Sequence, residues 1–139
     1  MGSEKKVEKF LYEELSYKLR GCVFSVYNTL GFGHKESVYQ KALADELAKM
    51  KLNFEREKTI PITYNGKQVG VYRPDFVIDN KIIVEIKAVE FMPKSYETQL
   101  VYYLKGTNYK LGFLINFGGT KLDIRRRIYT PLAERPLSV

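Results

Sequence analysis

Residues 73–90, RPDFVIDNKIIVEIKAVE, set three charged side chains inside two short apolar runs joined by Asp79-Asn80. Runs of this kind predict a hairpin. Side chains along a strand alternate faces. Glu85 and Lys87 therefore share one face of the second strand, and Val84, Ile86 and Ala88 share the other. On the first strand Arg73, Asp75 and Val77 share a face, with Phe76 and Ile78 opposite. A strict two-residue turn pairs Ile78 with Lys81 and sets Asp75 across from Val84, which leaves a carboxylate among apolar side chains. A three-residue loop from Asp79 to Lys81, or a bulge, pairs Ile78 with Ile82 and Asp75 with Glu85. The odd register is the expectation.

In that register two carboxylates stand about 5 Å apart. Like charges this close repel, so one is partly protonated or both share a cation. Lys87 compensates in part, and a divalent metal compensates more. Ligands that are all oxygen point to Mg²⁺ or Mn²⁺. A solvated Asp-Glu-Lys face on an ordinary hairpin fits the same three residues, so the hairpin alone leaves both readings open.

Composition narrows the field. The chain has 139 residues, which suits a single domain spanning 1–139, with 1–6 as a flexible tail. One cysteine, Cys22, and one histidine, His34, exclude an intrachain disulfide, a multi-cysteine metal site and a paired-histidine site. Cys22 sits among Val23, Phe24 and Val26 and reads as a buried thiol on a helix. No apolar run reaches the roughly 18–20 residues of a membrane span. The N-terminus lacks the apolar region of a signal peptide and the pattern for myristoylation. The expectation is a cytoplasmic protein without a membrane role. The formal net charge is +7, and residues 105–139 alone carry seven Lys/Arg against two Asp/Glu. That concentration suits a polyanionic partner, most simply nucleic acid, or else a solubilising surface.

The hydrophobic period divides the chain. Leu11, Leu15, Leu19, Val23, Val26 and Leu30 predict a helix over 6–30, and GFGHKE interrupts it. Tyr39, Leu43 and Leu47 predict a second helix over 36–51. Strands follow in FEREKTI and ITYNGKQVGVY, with Asn65-Gly66 as a hairpin turn, and then at 68–78 and 82–89. SYETQLVYYLKG predicts a helix with Ser95 as N-cap and Gly106 just past its end. YKLGFLINF reads as a central strand and LDIRRRIYT as the last. The order α, α, β, β, β, α, β, β predicts an α/β (α+β) mixed sheet flanked by helices.

Further residues fall into a pattern. Glu36 and Tyr39 lie at i, i+3 on one helix face, and Gln99 and Tyr103 at i, i+4 on another. Pro74-Asp75 followed by Glu85-x-Lys87 resembles the signature of the PD-(D/E)XK nuclease superfamily. Gly33-x-x-Glu36-x-x-Tyr39, the 73–90 stretch, Gln99-x-x-x-Tyr103 and LGFLINFG together resemble its GxxExxY branch, over residues 20 to 130 or so. The resemblance implies a restriction-endonuclease-like αβββαβ core with an extra N-terminal helix.

It also implies a metal-dependent phosphodiesterase site for Mg²⁺ (or Mn²⁺). Asp75 and Glu85 would ligate the metal, Glu36 would ligate it or hold water, and the carbonyl of Ile86 would complete the set. Lys87 would position the attacking water or steady phosphoryl charge, Gln99 would orient Lys87 or the phosphate, and Tyr39 and Tyr103 would support them. Arg73, Lys105, Arg125, Arg126 and Arg127 are candidate nucleic-acid contacts, with DNA ahead of RNA. A homodimer or larger complex fits so small a domain. The competing reading is a catalytically silent nucleic-acid-binding or protein-interaction module on the same fold.

Overall fold

The computed structural model describes residues 11–130, and the 1–6 tail falls outside them. Helix α1 (Glu13–Leu30) buries Leu19, Cys22, Val23 and Val26, a stripe at helical spacing. It stops at Gly31, whose φ of 65° is a left-handed conformation that costs glycine little. Helix α2 (Glu36–Lys49) buries Tyr39, Leu43 and Leu47. Strands β1 (Phe54–Arg56), β2 (Ile60–Tyr64), β3 (Lys67–Tyr72), β4 (Phe76–Ile78) and β5 (Ile82–Lys87) follow. Helix α3 (Lys94–Gly106) then crosses over to β6 (Leu111–Asn116), and β7 (Asp123–Ile128) ends the described chain. No helix among the described residues is long and apolar enough to cross a membrane.

Five strands form one sheet in the order β1-β4-β5-β6-β7. The β5–β6 pair is parallel, and the other neighbours are antiparallel. Alternation decides which residues meet which helices. Phe76, Ile78, Ile82, Val84, Ile86, Leu111, Phe113 and Ile115 face α1 and α2 in the main core. Val77, Ile83 and Leu114 face the other way, toward Leu100 and Leu104 of α3. The sheet is therefore covered on both faces, which suits the apolar composition of β5 and β6. Within it α2, β1, β4, β5, α3 and β6 give the order αβββαβ, with α1 as the extra helix.

The hairpin register is the odd one. Ile78 pairs with Ile82, Val77 with Ile83 and Phe76 with Val84. Asp79 and Asn80 take left-handed φ values of 51° and 52°, and Lys81 N–H donates to Ile78 O at 2.9 Å. Lys81 is the extra loop residue that restores apolar pairing.

Several boundaries differ from expectation. Of the helix expected over 6–30, residues 6–10 lie outside the described residues, Leu11 and Tyr12 form a turn and α1 begins at Glu13; α2 ends at Lys49 and β5 at Lys87, two residues short of the expected 51 and 89. The strand expected over 68–78 breaks at Tyr72, and β2 with β3 forms a separate two-stranded ribbon. Pro74 explains the break, because it has no N–H to give a ladder and it constrains Arg73. Ser95 is not the N-cap: α3 starts at Lys94 after Pro93, whose carbonyl accepts Tyr96 N–H at 3.1 Å. Gly106 lies within α3, and Thr107 caps it by donating its hydroxyl to Tyr103 O at 2.9 Å. YKLGFLINF is interior as β6, but the middle position belongs to β5.

The loop after β6 packs backbone to backbone on the loop after β5. A Cβ on Gly118 would stand 2.3 Å from Val89 N and 2.4 Å from Ala88 C. Gly118→Ala is expected to destabilise the protein by about 2–3 kcal/mol, read as a lower urea midpoint with an unchanged m-value. An unchanged midpoint refutes the close approach.

Candidate active site

The β4–β5 ladder ends at Phe76 and Val84, where the two backbones part. Beyond that point side chains continue it. Asp75 Oδ2 accepts Ile86 N–H at 2.6 Å, and Asp75 N–H donates to Glu85 Oε1 at 3.0 Å. Each carboxylate is thus held by the backbone of the opposite strand. Asp75 O also accepts Glu57 N–H at 3.2 Å, so the residue is fixed from both sides. Buried N–H groups need partners, and here carboxylates provide them.

Helix α2 brings the third carboxylate. Gln40 Nε2 donates to Glu36 Oε1 at 3.1 Å and to Asp75 Oδ1 at 3.2 Å. It joins the first turn of α2 to the sheet. Tyr39, on the other side of that turn, is fully buried. Its ring stacks on Phe117 at 4.5 Å, and its hydroxyl donates to Gly31 O at 2.6 Å and accepts His34 N–H at 3.2 Å. Tyr39 therefore fixes the loop that leads into Glu36 and does not reach the carboxylates itself.

Lys87, two residues beyond Glu85, places Nζ 4.7 Å from the ring centroid of Tyr96 on α3. A cation over an aromatic face is attracted to it. The lysine charge draws down the proton affinity of Asp75, Glu85 and Glu36, so it acts on all three carboxylates. It does not offset their confinement. Burial first, and then Asp75, pushes Glu85 up to about 7. Burial raises Asp75 as well, against the Ile86 N–H bond and Lys87. Burial and then Asp75 raise Glu36.

Behind the carboxylates lies Tyr72, buried and stacked on Tyr103 at 3.7 Å between centroids. Burial, then Glu85 and Asp75, hold its phenol protonated. Its hydroxyl makes no hydrogen bond of ordinary geometry, although it lies close enough to Glu85 to feel it. Gln99 Nε2 donates to Tyr103 Oη at 3.3 Å, so Gln99 connects toward Glu85 through two side chains, Tyr103 and Tyr72.

The basic residues are dispersed. Arg125 and Arg127 both bond Glu97 of α3, and Arg125 also bonds Asp123, with its Nη2 at 2.7 Å. A phosphate at either arginine must compete with Glu97. Arg126 shares its strand face with Ile124 and Ile128, toward α1 and Arg20. Arg73 Nε donates to Thr59 Oγ1 at 3.0 Å. Lys105 Nζ lies over the rings of Tyr102 and Tyr129, at 5.2 and 5.9 Å.

Glu36, Asp75, Glu85 and Lys87 are therefore brought together, while Gln99 and the arginines stand outside them. Sequence reasoning missed Gln40, Tyr72, Tyr96 and Glu97. Only Gln40 had a local signal, four residues after Glu36 on the same helix face. Three raised carboxylates suit a hard divalent cation in charge and donor type. The fit is chemical and not yet geometric: among the described residues, no three His, Cys, Asp or Glu side chains converge as a ready metal cluster.

A family model of the PD-(D/E)XK nuclease superfamily matches residues 13–127. No curated protein matches the chain. Among solved structures, that of SSO0001 superposes with a TM-score of 0.51 at 22% sequence identity, over 66% of this chain and 48% of that one. The chain spans about half the length of that neighbour, and the likeness is one of fold.

The raised Glu85 has a thermodynamic consequence. A carboxyl that holds its proton more tightly when folded loses stability as pH rises from its ordinary 4.5 through about 7. In chelator, the melting temperature of the wild-type protein is expected to fall more steeply over that window than that of Glu85→Gln. Equal slopes refute the confinement of Glu85.

Proposed function

The chain belongs to the PD-(D/E)XK nuclease superfamily, and on that premise we propose that it hydrolyses phosphodiester bonds of nucleic acid at the Asp75–Glu85–Lys87 cradle with Mg²⁺ (or Mn²⁺). Nucleases of this superfamily usually use divalent metals, and their substrate is nucleic acid. The finer reading is a GxxExxY-type enzyme acting on DNA ahead of RNA. Residues 1–139 work as one domain, alone or as a homodimer or part of a larger complex.

The observation that carries the reading is the reciprocal pair at the strand ends. Asp75 and Glu85 each bond the other's strand, and Glu36 joins them through Gln40. Asp75, Glu85, Glu36 and the carbonyl of Ile86 are the residues that would hold the cation. Such a cation supplies Lewis-acid polarisation of a phosphoryl oxygen and lowers the pKa of nearby water. Lys87 supplies positive charge where negative charge develops on the phosphoryl group. Tyr96 fixes its ammonium group, and Gln40 keeps Glu36 in register with Asp75. Gln99 and Tyr103 steady the wall behind Glu85 through Tyr72. Arg73, Lys105 and Arg126 contact the polyanion outside this centre, and Arg125 and Arg127 do so only by releasing Glu97.

One observation favours a second reading, a silent binding module. An oxygen of each hairpin carboxylate is already engaged by a backbone N–H. A purified preparation separates the two. The enzyme reading expects cleavage of single-stranded, duplex or branched substrates with Mg²⁺ or Mn²⁺, and a loss of about 100-fold or more in Lys87→Ala. No cleavage of any substrate, or equal cleavage by the variant, sinks it. Saturating Mg²⁺, at a hundredfold its Kd, is expected to stabilise the wild type by about 2.7 kcal/mol and Glu85→Gln by much less. A silent module shows no Mg²⁺-linked shift in melting temperature.

A further inference from the structure

Three loops gather at the end of the sheet where β5 and β6 finish. They are 31–35 before α2, 88–93 after β5 and 117–122 after β6. Each is tied down. Buried Asn116 accepts Val89 N–H at 3.0 Å and donates to Val89 O at 2.9 Å. Phe117 N–H donates to Lys87 O at 2.9 Å, and Tyr27 Oη donates to Thr120 O at 2.9 Å. Tyr39 holds 31–34 through Gly31 and His34 while stacking on Phe117.

On these pinned loops two phenylalanines point into solvent. Phe91 is 82% exposed and Phe32 is 57% exposed. A single exposed apolar residue on a surface means little. Two, on loops that are each tied to the Asn116–Gly118 segment, one through Tyr39 and Phe117 and the other through Asn116 and Val89, are a different matter. Phe91 lies four residues past Lys87, within ~13 Å by chain length. Exposed Lys35, Lys94 and Lys121 belong to the same three loops or their ends, with Glu90 beside Phe91. The rim thus combines aromatic faces with positive charge beside the carboxylate cradle.

We infer that Phe91, with Phe32, is a base-stacking platform that makes unpaired nucleic acid the preferred substrate class. The inference rests on the nuclease reading for the place where the strand is cut. A base inside a duplex is already stacked above and below, and its face is closed to a protein ring. An unpaired base offers that face, and every base has one. A phenylalanine carries no hydrogen-bonding group, so it reads pairing state and not sequence. The lysines follow the phosphates, and the rings take the bases.

The test uses the full chain, chelator in place of metal, and oligonucleotides carrying 2-aminopurine. Single strands and blunt duplexes of one sequence are compared. The wild type is expected to bind the single strand more tightly and to change the 2-aminopurine fluorescence. Phe91→Ala is expected to lower the single-strand to duplex affinity ratio by about 5- to 100-fold, the range that stacking on one base supports. Phe91→Trp is expected to keep it, and Phe32→Ala to lower it further in the double variant. Equal wild-type affinity for both forms, or a ratio unmoved by Phe91→Ala, overturns the platform. That second result also fits an exposed rim that serves a protein partner. Failure of the nuclease reading looks different: the binding ratio responds to Phe91, yet no substrate is cleaved with Mg²⁺ or Mn²⁺.

Discussion

Everything at the site depends on the Ile78–Ile82 register of one short hairpin. Shifted by one residue, the pairing would turn Phe76 and Ile78 away from the α1–α2 core and bring Asp75 into it. The loop residue Lys81 prevents this. Core packing and site assembly are therefore the same constraint seen from two sides of the sheet. The apolar face holds the register, and the register sets Asp75 beside Glu85. The bonds to Ile86 N–H and Asp75 N–H then fix the carboxylates where the strands part.

Such an arrangement is unfavourable on its own. Three carboxylates share a partly desolvated space, and Lys87 only partly offsets their repulsion. The surrounding structure maintains it. Phe76, Ile82, Val84 and Ile86 are fully buried in the main core, and Ile83 and Leu100 seal the opposite face. Local conflict of this kind, set within a well-packed frame, is a mark of functional sites. The buried thiol of Cys22 shows the contrast: its proton is held more tightly by burial, and it packs as an ordinary core residue.

How much of this was legible followed from how local each cause is. Alternation and the Asp79–Lys81 loop are local, and they led to the correct register and to Asp75 with Glu85. The helical stripes of α1 and α2 were legible for the same reason. The ribbon β2–β3 was not, because the apolar pattern runs through Tyr72 and only Pro74 marks the break. Ser95 looked like a cap because its type suits the position, but the Pro93 carbonyl sets the start two residues earlier. Arg125 and Arg127 looked like free cations because Glu97, 28 and 30 residues away, is their partner only in three dimensions. Tyr72 left no trace at all, since a tyrosine at a strand end has many uses.

Gln40 reaches Asp75 across 35 positions of sequence, and the parallel β5–β6 pair closes only after α3 has crossed the sheet. Contacts between such distant segments form late, because loop closure must be met before they contribute. Asp75 and Lys87 are brought together by the local hairpin, whereas Glu36 joins them only through the distant contact made by Gln40. The full three-carboxylate cradle is therefore a property of the tertiary fold, while its Asp75–Glu85 half belongs to one hairpin.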